Sequence, residues 1–365
     1  MPHFAKAALL TLALAAPLAL AGELEERAAI REPIERAYQS GDYETIERLH
    51  TEYSDFAHKR TSSGAFKMGL LIDGLVEPSG ATTEVFQRDI ARTKRWAEVH
   101  PGSPFGWVLY ANAVKAYGGF VRGGGYANTV SDAAWAVLHE TNQSAAKILN
   151  DHREVASRTS SWHAIMIVIG RNEGWPIDDI RRVFDEGVAL APLDFRLYHY
   201  MQDALLPKWE GSTAELDAFV RDASAKAPPA FGTELYARLY SGIEEGQFPR
   251  TLYRDSLVDW PTMKAGLNAW TAHFPTTWNR NIFAYHACLA ADRQASVALF
   301  KDIGSQREPE IWSSPDGRDM FGDCARWAAD PTTGGDSPIA PPRPKPGSSA
   351  GGLQAGTRTA IVRAG

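Results

Sequence analysis

The sequence predicts an all-α protein built as a stack of helix pairs, and three observations carry that prediction. Amphipathic segments of about 12 to 18 residues follow one another from Glu23 to about Trp327, separated by short Gly, Pro, Asp or Ser punctuation. No alternating apolar and polar run is bounded by hairpin turns, and β-branched residues are thin. Residues 22–330 are too many for a simple bundle, and stacked pairs bury a continuous core at any length.

The elements follow in chain order. Residues 1–21 read as a signal peptide: Lys6 precedes the uncharged run "AALLTLALAAPLAL", and Ala19-Leu20-Ala21 offers small residues for cleavage after Ala21. Gly22 rather than cysteine follows, which argues against a lipoprotein anchor. No later run is apolar and long enough to span a bilayer, so the expectation is an exported, periplasmic or extracellular chain without a transmembrane segment. "LEERAAIREPIERAYQ" and "YETIERLHTEYSDFAHKR" flank Ser40-Gly41-Asp42; in the second, Ile46, Leu49, Tyr53 and Phe56 recur at helical spacing. "SSWHAIMIVIG" is apolar nearly all round and predicts a buried helix. Pro176 predicts the first turn of "IDDIRRVFDEGVAL". Ser212 with Glu215 three residues on predicts a capping box. From residue 331 to 365 the chain turns to Pro, Gly, Ser and Thr with no apolar face, which predicts a disordered tail.

Charge narrows the function. The chain without its leader has 37 basic against 44 acidic side chains, a net charge of −7. The tail has four basic residues and one acidic, so the acidity belongs to the helical body, which would repel phosphate backbones; nucleic-acid binding is not expected. Two cysteines, Cys288 and Cys324, form the even, minimal count that favours a disulfide in an oxidising compartment. Two buried thiols are the alternative. A Cys288–His286 catalytic pair is disfavoured, because residues two apart on a helix point in different directions.

Two stretches resemble tetratricopeptide (TPR-like) helix pairs. In "HPGSPFGWVLYANAVKAYG", Pro101 closes one pair and Trp107 opens the next, with Tyr110, Ala111 and Val114 behind it. In "IDDIRRVFDEGVALAP", Ile180, Phe184, Gly187 and Pro192 keep the spacing of the second helix. The repeat is degenerate: Ala164 stands where the pattern wants tryptophan, and Trp162 falls two residues early. The resemblance implies an α-solenoid of stacked antiparallel pairs, an α/α toroid being the alternative. Over residues 85 to 330 the stretches "RGGGYA", "FRLYHYMQDALLPKWEGS", "NIFAYHACLAAD" and "FGDCARWA" resemble a family of often exported bacterial proteins with a domain of unknown function. That likeness implies a helical, repeat-like fold and a Cys288–Cys324 pairing; it implies no activity.

Chemistry was sought first in "GGFVRGGGYANT". Gly123 and Gly125 begin a dinucleotide fingerprint, but Asn128 stands where its last glycine belongs, and Gly119 to Gly124 is followed by Gly125 where a P-loop needs lysine. The glycines therefore read as a break between helices, with a binding loop as the sharper alternative: Arg122 offers a fork for a carboxylate and Tyr126 a stacking face. No metal site is expected. "HETNQ" has Gln143 where a zinc protease needs histidine, and His163 and His199 sit in apolar segments as packing residues do. Most of the eleven tryptophans should anchor helices. Candidate binding residues are Arg122, Tyr126, Trp107, Tyr198, His199 and Trp209, with no catalytic residue and no cofactor. On one helix Tyr198 and Gln202 would share a face, as would His199 and Asp203, a surface hydrogen bond being expected of the latter pair.

These features lead to an exported, non-catalytic scaffold for a protein or peptide partner. The alternative is an α/α-toroid protein that binds or cleaves carbohydrate. A toroid would gather carboxylates such as Asp178, Asp179 or Asp203 at separations of about 5–10 Å.

Overall fold

The computed structural model describes residues 22–75, 81–124 and 127–342. Every regular element among them is helical, apart from one isolated bridge between Arg60 and Phe66. The chain is all-α.

Local chemistry places the helix boundaries. α1 (Glu23–Ser40) ends at Gly41, whose φ of 77° is left-handed, and Asp42 then caps α2 (Tyr43–Tyr53) by accepting from the Thr45 amide. α3 (Lys67–Gly74) follows a buried loop. α4 (Thr83–Val99) and α5 (Pro104–Arg122) start at Thr82 and Ser103, each hydroxyl accepting from the amide three residues on. Next come α6 (Asp132–Asp151), the single turn α7 (Arg153–Ala156), α8 (Ser160–Asn172), α9 (Ile177–Leu190) and α10 (Phe195–Ala204). Pro176 stands at the N-cap of α9, one residue ahead of the predicted first turn. α11 (Thr213–Ala225) opens as expected: Ser212 Oγ accepts from the Glu215 amide at 3.2 Å and donates to its carboxylate at 2.7 Å. The remainder is α12 (Glu234–Gln247), α13 (Leu252–Asp255), α14 (Trp260–His273), α15 (Thr277–Leu289), α16 (Arg293–Ile303) and α17 (Met320–Ala329).

Helices pack mainly on near neighbours in sequence: α5 between α4 and α6, α8 against α9 and α10, α12 against α14, and α16 against α15 and α17. Where helices approach most closely, side chains are small. A Cβ on Gly187 would stand 2.9 Å from both His163 Cβ and Leu197 Cδ2, a separation real side chains do not tolerate. The glycine-rich stretch obeys the same logic. α5 continues through Gly118 and Gly119, a Cβ on Gly118 would overlap Thr141 of α6, and the helix stops at Gly123 with φ 70°. Gly118 thus serves a helix crossing, whereas the sequence suggested a loop. Gly125 and Tyr126 lie outside the described residues, as does the leader.

A loop ties the first helices to the last. The Ser63 carbonyl accepts from Trp270 Nε1 at 3.0 Å and Asn279 Nδ2 at 2.9 Å, and the Gly64 carbonyl accepts from Arg238 Nη1 at 3.2 Å. Phe66 stacks on Phe195, and Arg27 of α1 lies 5.5 Å over the Trp278 ring of α15. Cys288 of α15 and Cys324 of α17 stand at disulfide distance, with Cα atoms 6.0 Å apart, and both are fully buried. His286 makes no thiol pair; it meets Ser241 Oγ and the Tyr253 hydroxyl.

Residues 331–342 do not follow the disorder that their composition suggested. Residues 331–342 lie on the body: Ile339 is fully buried, and the Gly334 carbonyl accepts from Trp327 Nε1 at 2.9 Å and Arg293 Nη2 at 2.8 Å. Arg318 Nη2 donates to the Pro338 carbonyl at 2.7 Å. A segment without an apolar face is held here by its own carbonyls, because arginines of the body supply the donors. Residues 343–365 lie outside the described residues.

Candidate functional site

The candidate binding residues separate in space. Trp107 is a packing anchor: it is buried, stacks on His152 with centroids 3.4 Å apart, and donates from Nε1 to the Pro101 carbonyl. Tyr198 is also core, its hydroxyl donating to the Pro192 carbonyl at 3.0 Å. Both were candidates because aromatic rings suit binding; both face inward because the same rings bury the most apolar area. Arg122 closes α5, donating to the Gly123 carbonyl at 2.9 Å and lying 5.2 Å over the Trp135 ring. His199 and Trp209 both neighbour Arg171, which the sequence did not single out.

Around Arg171 stands a cluster of basic and aromatic side chains from α5, α8, α10 and the short turn Pro207–Trp209. Asp203 of α10 pairs with Arg171 at the end of α8 and with Lys208 Nζ at 3.3 Å. Arg171 also donates to Asn172 Oδ1 at 2.8 Å and stacks its guanidinium 4.6 Å over the Trp209 ring. Half-buried Lys115 of α5 comes within electrostatic range of Arg171, and His199 lies within range of both Arg171 and Lys208. Tyr200, next in α10, faces Arg196, Asp73, Asp194 and Arg171. Two cations share one carboxylate here, in a chain whose net charge is negative.

Confinement and mutual repulsion shift the titrations. Burial, with the Arg171 charge added, pushes the Lys115 and Lys208 ammonium groups down to about 8. Burial and the same cations push His199 down to about 4, so this imidazole is neutral at physiological pH. Burial lifts the Tyr200 phenol to about 12. It also lifts the Asp73 carboxyl to about 6, against the opposing pull of Arg31, Arg27 and Arg196.

Four of the buried polar atoms without partners lie on α10 and the turn after it: His199 Nδ1, Trp209 Nε1 and both amide atoms of Gln202, which is fully buried. An unpaired buried polar group costs about 1–3 kcal/mol. The His199–Asp203 pair expected from helix spacing does not form, because Arg171 and Lys208 occupy the carboxylate. Asp178 is exposed, and Asp179 pairs with Arg182. Among the described residues no group of three His, Cys, Asp or Glu side chains is placed to hold a metal, and no helix is long and apolar enough to cross a membrane.

A cavity of about 320 Å³ beside His50 is a second, weaker candidate. Much of its polar lining is satisfied internally: Glu47 accepts from Trp96 Nε1 and from Ser103, while His50 Nε2 sits 3.0 Å from Ser161 Oγ and 3.2 Å from Thr159 Oγ1. His50 stacks on Phe105 with centroids 3.7 Å apart. Burial, then the Arg196 charge, pushes its imidazole down to about 3. The unfolded chain therefore binds a proton below about pH 6.5 that the folded chain refuses until about pH 3, and stability falls as pH falls through that window. By pH 5 the expected loss is about 2 kcal/mol. Urea unfolding at pH 7 and pH 5 would show it, and a His50→Gln variant should lose that part of the slope; an unchanged slope would place the acid sensitivity elsewhere.

Comparison of the chain with protein-family models, curated proteins and solved structures finds no match.

Proposed function

We propose that the protein is an exported, non-catalytic helical-repeat scaffold, a TPR-like α-solenoid that holds an acidic protein or peptide partner against the α5–α8–α10 cluster. One observation carries this reading: Arg171 and Lys208 share a single carboxylate, with the Trp209 ring under the guanidinium and His199 within electrostatic range, on a chain whose net charge is negative. A cationic patch with aromatic walls and orphan donors matches an extended acidic segment in charge and in hydrogen bonding. The carboxylates that a carbohydrate-cleaving toroid would need are each spoken for by a cation or open to solvent, which favours binding over hydrolysis. Export, with cleavage after Ala21, accords with the cysteine pair at disulfide distance. The likeness to exported bacterial proteins belongs to the same proposal.

Fluorescence anisotropy tests it. A labelled Asp/Glu-rich dodecapeptide should bind the chain from Gly22 onward and weaken with added salt. A Lys208→Ala, Trp209→Ala variant should bind at least about tenfold more weakly, equivalent to about 1.4 kcal/mol. Failure of the peptide to bind, with binding or cleavage of cell-envelope oligosaccharides, would overturn the scaffold in favour of the toroid.

A further inference from the structure

The cavity beside His50 holds two charges without a counter-charge among the described residues. Its walls come from α2, the start of α5, the turn into α8 and the end of α9, and Glu47 and Arg158 are the charged side chains that line it. Glu47 is half-buried. Trp96 Nε1 and Ser103 Oγ both donate to its Oε1, which fixes the carboxylate, while Oε2 has no partner and no cation pairs with the group. Arg158 engages only Nε, donating to the Glu154 carbonyl at 3.0 Å, and pairs with no carboxylate. The two charges do not pair with each other either, although the walls that bear them are joined. The contact of 3.2 Å between His50 Nε2 and Thr159 Oγ1 lies one residue from Arg158 and three from Glu47. His50 adds a neutral donor. Arg196 Nη2 donates to Ser161 Oγ at 3.1 Å, so the serine hydrogen is directed to His50 Nε2, 3.0 Å away, and the ring proton lies on Nδ1. That Nδ1 has no acceptor among the described residues, on a ring that is 5% exposed and lines the cavity. The charge of Arg196 itself is met by Asp194.

We infer that this cavity binds a free α-amino acid with an apolar side chain: Glu47 Oε2 receives the ammonium, Arg158 and His50 Nδ1 receive the carboxylate, and Phe56, Phe105 and Leu190 flank the side chain. Opposite charges held apart in one cavity are both answered only by a ligand that carries both. The ammonium gives Glu47 a charge-assisted hydrogen bond that its neutral donors do not supply, and the guanidinium fork matches a carboxylate. A volume of about 320 Å³ stands at the small end of ligand sites, which favours a single amino acid over a longer peptide. Leu190 is 48% exposed, an apolar wall that such a side chain would cover. The inference does not rest on the scaffold reading. It uses none of the residues around Arg171, and either can fail without the other.

The experiment is isothermal titration of the protein at neutral pH with L-leucine and L-phenylalanine, beside two probes that each lack one of leucine's charges. These are 4-methylpentanoate, without the ammonium, and 3-methylbutylamine, without the carboxylate. At least one amino acid should bind saturably, and both truncated probes should bind at least about tenfold more weakly, the worth of one charge-assisted hydrogen bond. Glu47→Gln keeps an acceptor for Trp96 and Ser103 but removes the charge, and it should weaken the amino acid by a similar factor while leaving 4-methylpentanoate unchanged. Arg158→Met should do the reverse, weakening the amino acid and sparing 3-methylbutylamine. Lys147→Met, on the exposed face of α6, should change nothing. Arg158 is exposed, so its variant tests the site even if loss of the Glu47 charge perturbs α2. No saturable binding of either amino acid, or binding indifferent to both substitutions, overturns the site. Binding of 3-methylbutylamine as tight as that of leucine, with Arg158→Met silent, would reduce it to a cation site and overturn the zwitterion. Binding of the dipeptide Leu-Leu without binding of leucine would overturn the single amino acid.

Discussion

Replacing Arg196 with methionine is expected to destabilise the fold by about 3–5 kcal/mol, the cost of removing one partner from a buried ion pair. Asp194 is 1% exposed and Arg196 7%, and the pair is bidentate, with Nε to Oδ1 at 2.9 Å and Nη2 to Oδ2 at 2.6 Å. Asp194 also caps α10 by accepting from the Arg196 amide at 3.1 Å, and Arg196 Nη2 donates to Ser161 Oγ at 3.1 Å. With the guanidinium gone, Asp194 retains only the backbone N–H, and Asp73 loses one of its three compensating cations. The penalty comes chiefly from the stranded carboxylate, so an Asp194→Ser, Arg196→Met double variant should recover much of it, since serine still caps the helix without a charge. Urea unfolding of the three proteins decides the matter. A single variant within about 1 kcal/mol of wild type would mean that water solvates Asp194 far better than its burial indicates.

Loss of the Cys288–Cys324 crosslink is expected to cost about 4 kcal/mol, from the unfolded-chain entropy of a loop of this length. The two positions are 36 residues apart, and the loop carries α16 and the long irregular connection 304–319. Within that connection Trp312 is fully buried and donates from Nε1 to Asn281 Oδ1 at 2.7 Å. A Cys288→Ala, Cys324→Ala variant should therefore unfold at markedly lower denaturant, and wild type should match it only after reduction in the unfolded state, because both sulfurs are inaccessible in the folded one. Coincident unfolding of the variant and the oxidised wild type would show that the unfolded chain already holds α15 near α17.

Much of the fold was legible because its signals are local. Gly41-Asp42 and Ser212 with Glu215 each mark a boundary by local bonds, and each boundary stands where they put it. Gly187, picked out by the spacing of a repeat's second helix, stands at a close approach to His163 and Leu197. The candidate site was legible in part. "FRLYHYMQDALLPKWEGS" drew attention to His199 and Trp209 through its density of polar and aromatic residues, yet Tyr198 in the same segment is core. Lys115 and Arg171 went unnoticed. A lone lysine in a helix ordinarily lies on its solvated face, and the only sign against this was the apolar sequence on both sides of it, "VLYANAV" and "AYG".

The sequence by itself determined that this chain is helical and where several of its helices begin, since capping and periodicity act within a turn or two of backbone. Only the tertiary structure decided that α8, α10 and the turn Pro207–Trp209 bring two cations onto one carboxylate, that the loop at Ser63 and Gly64 fastens to α12, α14 and α15, and that residues 331–342 lie on the body. Each of these joins groups far apart along the chain. Whether a charge is solvated or confined, and whether a carbonyl meets water or arginine, depends on neighbours that no local pattern encodes.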